Sequence, residues 1–204
     1  MKHTITLVAL FLSVLLHAQT KPLNTDWQFG VKGDLNLSNI SGNGMPGGYT
    51  SGFQVGGFAE KAFNSKWSFQ PEVLFSQNNT TVNVSNFLVY YLPPQGNVFA
   101  ANNIKLGYIS IPLMFKYKLN KYFTLAAGPQ YSQMVFDAES LLTSNNDNAF
   151  KKYEASVNGG GEFTLGSVAI YGRYNQGLTN INNIDNRYSW KSSHIQIGMA
   201  IKIK

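Results

Sequence analysis

Few residues of this 204-residue sequence have types and spacing that suit catalysis. His3 and His17 fall in the N-terminal segment considered below, which leaves His194 beside Ser192 and Ser193. A serine hydrolyses acyl groups when an imidazole lies within hydrogen-bond reach and a third group orients that imidazole. Neighbouring residues of a strand point to opposite faces, so only Ser192 shares a face with His194. No orienting group is evident, so we expect no catalytic residues and no enzyme, with a membrane acyl hydrolase as the alternative.

Metal and cofactor chemistry has equally little support. The sequence has no cysteine, and a lone histidine without clustered carboxylates gives no transition-metal ligand set. Asp137, Glu139 and Asp147 share one polar stretch and could hold only a weak calcium ion. The three glycines at 159–161 precede strand-type residues rather than a helix, so they are no phosphate cradle. We expect no metal site and no cofactor.

The first 18 residues are typical of a secretory signal peptide. Lys2 precedes an apolar run over residues 5–16, and Ala18 offers a small residue for cleavage before Gln19. The run is shorter than the roughly 20 residues of a membrane helix, although an anchoring helix is the alternative. We therefore divide the chain into a signal peptide, 1–18, and one domain, 19–204.

The composition is unusual for a soluble domain. Charged residues make up 13% of the chain, against about 25% in typical soluble proteins, while aromatic residues reach 14%. The net charge of +6 is scattered along the sequence rather than clustered. Scattered charge is poor support for nucleic-acid binding, so we expect no nucleic-acid partner.

Eight segments alternate between apolar and polar residues, which is the period of a β-strand. Short connections (64–66, 120–121 and 166–167) and long ones (38–50, 78–103, 135–152 and 179–191) follow one another in turn. This pattern is typical of a ribbon that crosses a bilayer repeatedly. It predicts an all-β fold, an eight-stranded antiparallel up-and-down transmembrane β-barrel, with strands at 27–37, 51–63, 67–77, 104–119, 122–134, 153–165, 168–178 and 192–204.

The polar face of these strands is poor in charge for a solvent-exposed surface. A soluble ligand-binding barrel, the alternative, would turn that face to water. A transmembrane barrel turns it inward, where charges are tolerated only when they are paired. We therefore predict a polar network in the lumen, formed by charged residues of both signs: Lys32, Asp34, Glu60, Glu72, Lys116, Glu162, Arg173 and Lys202.

Prolines and glycines interrupt the alternation. Pro112 lies in the middle of the fourth strand, where it removes a ladder hydrogen bond, and we expect a β-bulge there. Glycines that would permit bends occupy apolar registers at Gly33, Gly57, Gly159 and Gly161.

Four motifs follow one another along the domain: residues 52–58 (GFQVGGF), 69–77 (FQPEVLFSQ) and 108–117 (YISIPLMFKY), and then Gly128-Pro129. In these motifs the chain resembles the PorT-like small outer-membrane β-barrels of Gram-negative bacteria. The resemblance spans most of domain 19–204 and implies an eight-stranded barrel in the cell outer membrane. Its implied partners are outer-membrane lipid, lipopolysaccharide and the barrel insertion machinery. One member of the wider group takes part in protein secretion, but no residue here carries that role over.

The connection 78–103 is far longer than an ordinary hairpin loop. Either the third and fourth strands extend above the membrane as a hairpin, or the apolar residues of the connection dock on a partner or on the barrel mouth. It is rich in large apolar residues, which in an exposed loop usually mark an interaction site. These are Phe87, Leu88, Tyr90, Tyr91, Leu92 and Phe99. We expect a structural or interaction role, with a protein partner bound through the long loops. A narrow transport pore and a component of a secretion system are the alternatives.

Overall fold

The computed structural model describes residues 27–81, 103–137, 150–184 and 187–203. These residues form eight long strands and a two-residue strand, Met45–Pro46, that pairs with the end of the first. The long strands are β1 (Gln28–Gly42), β2 (Thr50–Ala62), β3 (Trp67–Thr81), β4 (Asn103–Lys118), β5 (Phe123–Asp137), β6 (Tyr153–Leu165), β7 (Val168–Gly177) and β8 (Lys191–Lys202).

The eight long strands close into a barrel. Each strand pairs antiparallel with the next along the chain, and β8 pairs back onto β1 from Gly30↔Lys202 to Ser41↔Lys191. The predicted eight-stranded antiparallel up-and-down barrel is therefore confirmed. Within the described ranges, no helix is long and apolar enough to span a membrane.

Apolar side chains cover the outside of the barrel and polar side chains fill the inside. Leu35 and Ile197, which face each other across β1 and β8, are 73% and 64% exposed. Their neighbours Asn36 and Gln196 point inward and are buried. This arrangement is the inverse of a soluble barrel, in which the apolar face is internal. The predicted orientation of the two faces is confirmed, and the soluble ligand-binding barrel is ruled out.

The three short turns lie at one end of the barrel, here called the short-turn end. Asn64 and Asn120 each accept, through Oδ1, hydrogen bonds from the backbone N–H groups two and three residues ahead, at 2.8–2.9 Å. These Asx turns satisfy backbone donors that have no strand partner. The third turn contains Gly166 at φ +61°, a conformation that favours glycine.

Aromatic side chains surround the barrel near the short-turn end. The rings of Trp67 and Tyr117 lie 4.8 Å apart, and those of Phe123 and Phe163 lie 5.0 Å apart. The ammonium of Lys66 lies 6.0 Å from the Tyr117 ring. Aromatic rings with basic side chains beside them are typical of the membrane–water interface, where an apolar body and a polar tip are both solvated.

The strands extend further at the opposite, long-loop end than their alternation predicts. β1 continues to Gly42 and β3 to Thr81, whereas the alternation ends at residues 37 and 77. Backbone pairing continues there, with Thr81 opposite Asn103, although the outward side chains are no longer consistently apolar. The alternation therefore marks the apolar band of the wall rather than the full length of its strands.

The expected bulge at Pro112 is wrong. Pro112 pairs with Gln130, and the register on both sides of it is the same. The β4–β5 register shifts instead between Gly107 and Tyr108. A Cβ at Gly107 would lie 2.1 Å from the Phe136 ring, so the glycine leaves room for that ring beside the bulge.

Strands approach each other most closely at inward-facing glycines. A Cβ at Gly56 would lie 2.1 Å from the carbonyl oxygen of Val73, and one at Gly128 would lie 2.0 Å from that of Leu113. By contrast, a Cβ at Gly159, one of the glycines that the alternation singled out, would meet nothing within 4 Å. The tight curvature of a small barrel thus depends on glycines of the lumen face.

We expect Gly128→Ala to destabilise the barrel by roughly 1–3 kcal/mol, because the added methyl group overlaps the backbone of β4. The measurement is the urea unfolding midpoint in lipid bilayers. Gly159→Ala is the matched control and should leave the midpoint nearly unchanged, since its methyl group enters open space. Equal midpoints for the two variants would contradict this account of the curvature.

Candidate functional site

Glu72 is the centre of the polar interior. Its carboxylate is fully buried and accepts two hydrogen bonds from Arg173, one to each oxygen, at 3.0 and 2.8 Å. The Lys32 ammonium donates to Oε2 at 3.0 Å, and the Gln70 amide donates to Oε1 at 2.7 Å. A two-point guanidinium–carboxylate contact is among the strongest polar contacts in proteins. Residues from β1, β3 and β7 therefore meet at one carboxylate.

A chain of ion pairs runs from this centre towards the short-turn end. Arg173 also contacts Glu162 at 3.3 Å, and Glu162 accepts from Lys116 at 2.7 Å. Lys116 contacts Glu60 at 3.2 Å, and Glu60 accepts from Lys202 at 2.8 Å. Each carboxylate in this chain therefore contacts at least two cations.

Asp34 joins the network through Tyr171. The Tyr171 hydroxyl donates to Oδ2 of Asp34 at 2.6 Å. The ring of the same tyrosine lies 3.9 Å from the Lys32 ammonium and 4.9 Å from the Arg173 guanidinium. Tyr171 thus places its π face against cations and its hydroxyl against an anion, a combination that suits a buried aromatic residue among charges.

The structure brings all eight predicted lumen residues together. They provide four cations and four carboxylates, so their formal charges cancel. Their strands are all of the wall except β5, and their ion pairs link parts of the chain as distant as Glu60 and Lys202. Removing one partner of a buried pair leaves an uncompensated charge, so this network makes closure of the barrel strongly interdependent.

Uncharged polar side chains fill the next layer towards the long-loop end. Asn175 donates to Asn158 at 3.1 Å, and Asn158 donates to Gln130 at 2.9 Å. The hydroxyl groups of Ser110 and Ser132 lie 2.9 Å apart. This layer connects β4 to β7, and it includes β5, the strand that contributes no charge.

An apolar cap lies inside the barrel at the long-loop end. Its members are buried side chains from strand ends and from the connections between them: Ile40, Met45, Leu106, Tyr108, Met134, Phe150, Ile181 and Trp190. The rings of Phe150 and Trp190 lie 5.5 Å apart, and the Trp190 indole N–H donates to the Asn43 carbonyl at 3.0 Å. In the sequence, this cap is indicated by apolar residues in the inward-facing register of the strands, such as Leu106 and Met134.

Ser192 and His194 do not form a catalytic arrangement. The Ser192 hydroxyl donates to Glu154, and no hydrogen bond joins Ser192 to His194 in the described part of the chain. Nδ1 of His194 is buried without a partner there, so no carboxylate orients the imidazole. The adjoining cavity has a volume of about 10 Å³, too small for an acyl substrate. Glu154 therefore contacts Ser192 rather than His194, and this arrangement does not generate a nucleophile.

The remaining sequence candidates fall largely outside the described ranges. No group of three or more histidine, aspartate and glutamate side chains within those ranges could hold a metal ion. Glu139 and Asp147 of the calcium hypothesis lie outside them. So do residues 1–26, with the predicted signal peptide, and the proposed loop surface, which comprises Phe87, Leu88, Tyr90, Tyr91, Leu92 and Phe99.

Comparisons with known proteins agree with the architecture. A family model described as an outer membrane protein beta-barrel domain matches residues 17–183. The structure of Neisserial surface protein A (NspA) is 15% identical, covers 86% of this chain and 97% of its own, and has a TM-score of 0.55. The structure of Ail, the attachment invasion locus protein of Yersinia pestis, is 11% identical with a TM-score of 0.50, over 87% of this chain and 99% of that one. No curated protein sequence matches the chain.

We expect Glu72→Leu to destabilise the barrel by roughly 3–5 kcal/mol, because it leaves Lys32 and Arg173 buried without their shared carboxylate. The urea unfolding midpoint in lipid bilayers measures the effect. Gln54→Leu is the control, since it also places an apolar side chain at a buried polar position but removes no charge. A Glu72→Leu midpoint as high as that of the control would show that the ion pairs do not stabilise the barrel.

Proposed function

The chain belongs to the outer membrane protein beta-barrel domain family, and we propose that it acts in that membrane as a structural or interaction protein through its long loops. The observation that carries the proposal is the filled lumen. An eight-stranded barrel has an interior just wide enough for side chains, and here side chains occupy it in three layers. An interaction role therefore has to use the surfaces outside the wall.

The lumen layers argue against a steady pore. Along the barrel axis, a solute would meet the apolar cap around Trp190, the amide layer around Asn158, and then the ion pairs around Glu72. Passage would require separating buried opposite charges, which costs several kcal/mol for each pair. A narrow transport pore, the alternative, has to overcome all three layers.

The orientation follows from the ordinary design of such barrels. Outer-membrane barrels place short turns in the periplasm and long loops outside the cell. On that basis the turns at Asn64, Asn120 and Gly166 are periplasmic, and the apolar cap lies towards the cell exterior. The apolar wall contacts membrane lipid, and we propose that the long-loop end contacts lipopolysaccharide and that the insertion machinery folds the chain.

The loop between β3 and β4 is the strongest candidate for a partner-binding surface. The last described pair of β3 and β4 is Thr81↔Asn103, and residues 82–102 connect the two strands. Their sequence carries the apolar residues Phe87 to Leu92 and Phe99, which favour contact with a protein partner. The motif at 108–117 supports placing the chain in the PorT-like group.

We expect no steady conductance when the purified protein is reconstituted in planar bilayers, because the ion-pair network blocks the lumen. Trp190→Ala with Ile181→Ala should also stay closed, since this variant removes part of the cap and leaves the ion pairs intact. If the unmodified protein gives stable ohmic current steps, the transport pore is the better account of its function and the interaction role is contradicted. If only the double variant gives current steps, the apolar cap, rather than the ion-pair network, closes the lumen.

Replacing residues 85–97 by a two-residue Asn-Gly turn should preserve folding and heat-modifiable gel mobility, because the described β3–β4 pairs, as far as Thr81↔Asn103, involve none of the replaced residues. Proteins that co-purify with the unmodified barrel from outer membranes in mild detergent should be lost. A second variant keeps the loop length and replaces the six apolar residues by serine, and it should show the same loss. Retained partners in both variants, or a shortened chain that cannot fold, would contradict the assignment of function to this loop.

A further inference from the structure

A second polar feature lies at the other end of the barrel, away from the long loops. A cavity of about 550 Å³ opens at the short-turn end, below the ion-pair chain. Its volume falls within the range of small-molecule sites, roughly 300–1,000 Å³. Its walls are formed by polar ends of strands from around the barrel and by the short turns. This cavity has no part in the function proposed above.

The cavity has a strong excess of positive charge. Among the residues that the structure describes, four lysines line it, Lys116, Lys118, Lys121 and Lys202, together with one carboxylate, Glu60. Glu60 is already engaged, since Oε1 accepts from Ser68 at 2.8 Å and Oε2 accepts from both Lys116 and Lys202. Four cations less one anion leave a net charge of +3 among the described residues that line the cavity.

Several lysine N–H groups remain for a ligand. Lys202 is 27% exposed and uses two of its three N–H groups, on Glu60 and on Gln28 at 2.9 Å. In the described part of the chain, Lys118 and Lys121 contact no carboxylate, and Lys121 lies 4.7 Å from the Tyr122 ring. Lys118 and Lys121 therefore bring positive charge to the cavity that no described carboxylate contacts, and Lys202 keeps one N–H group for a ligand.

Neutral donors complete the lining. Thr124, Thr164 and Ser167 bring hydroxyl groups, and Asn120 brings an amide whose oxygen already serves the adjacent turn. A compact anion with several oxygens can accept from many such donors at once, whereas an apolar ligand would leave them unsatisfied. Among the described lining residues, a divalent cation would find only the carboxylate of Glu60, which is already paired with lysines.

We propose that the cavity at the short-turn end binds a phosphate-bearing anion, with Lys118, Lys121 and Lys202 as its principal contacts. Lysine binds phosphate as a point charge, and convergent ammonium groups suit a multiply charged phosphate. The phosphate comes either from a phospholipid headgroup of the adjoining leaflet or from a free phosphate compound on that side. Both sources offer the same oxygens to the site.

Pyrophosphate titrated calorimetrically into the full-length protein in neutral detergent, at constant ionic strength, tests the site. We expect saturable binding that weakens about tenfold in Lys118→Gln and in Lys202→Gln, because each variant loses a charge-assisted hydrogen bond. Lys202→Gln also removes an ion pair with Glu60, whereas Lys118→Gln leaves the network intact. Lys118→Gln therefore tests the site even if the Lys202 variant folds poorly.

Lys66→Gln is the matched control. Lys66 is an exposed lysine at the same end of the barrel, but it does not line the cavity. Its affinity for pyrophosphate should stay within about twofold of the unmodified protein, since only screened, long-range charge is lost. Absence of saturable binding, or equal losses in Lys66→Gln and Lys118→Gln, would overturn the proposal.

The two sources are separated by repeating the titration in nanodiscs. Discs of phosphatidylcholine alone are compared with discs that also contain phosphatidylglycerol. If the anionic lipid abolishes pyrophosphate binding, a headgroup occupies the site. If binding is the same in both discs, the ligand is a free phosphate compound. Either result supports the site. Pyrophosphate binding that is undiminished in discs containing the Lys118→Gln protein overturns it.

Discussion

The architecture depends on one requirement, that an ionised group taken out of water must meet its opposite charge. The barrel turns its apolar side chains outward, which leaves charged residues such as Glu72, Lys32 and Arg173 inside. Because the interior has little water to solvate them, each must find a partner within hydrogen-bond distance. Glu72 meets this requirement for Lys32 and Arg173, and the observed strand registers bring these residues of three strands together.

The three lumen layers divide the work of filling a narrow barrel. The ion pairs fill the short-turn half of the lumen, and uncharged amide and hydroxyl groups, such as the amide of Asn158, fill the middle. Apolar side chains around Trp190 fill the long-loop end. The glycines that face inward, such as Gly56 and Gly128, let neighbouring backbones approach closely enough for this small circumference. Packing, hydrogen bonding and strand curvature are thus properties of the same inward-facing register.

Much of the fold follows from the sequence because alternation assigns every strand residue to a face. That rule places Glu72 and Arg173 on the inside, but it cannot say that they meet, since their pairing depends on the closure of strands far apart in the chain. The same rule does not predict the apolar cap, because it assigns apolar residues to the outside, whereas Leu106 and Met134 are apolar and point inward. The bulge was misplaced at Pro112 because a missing N–H does not by itself change the register, whereas the shift at Gly107 depends on room for the ring of Phe136.

The long sequence separations within the ion-pair network bear on how the barrel forms. Arg173 cannot reach Glu72 until the strands between them are in place, and Lys202 reaches Glu60 only near the seam between β8 and β1. A half-built sheet would therefore carry several unmatched charges on the face that later becomes the lumen, and lipid would exclude that face. Insertion and closure are then coupled, so partly formed barrels are poorly populated and assembly is slow, as expected for a topology dominated by distant contacts.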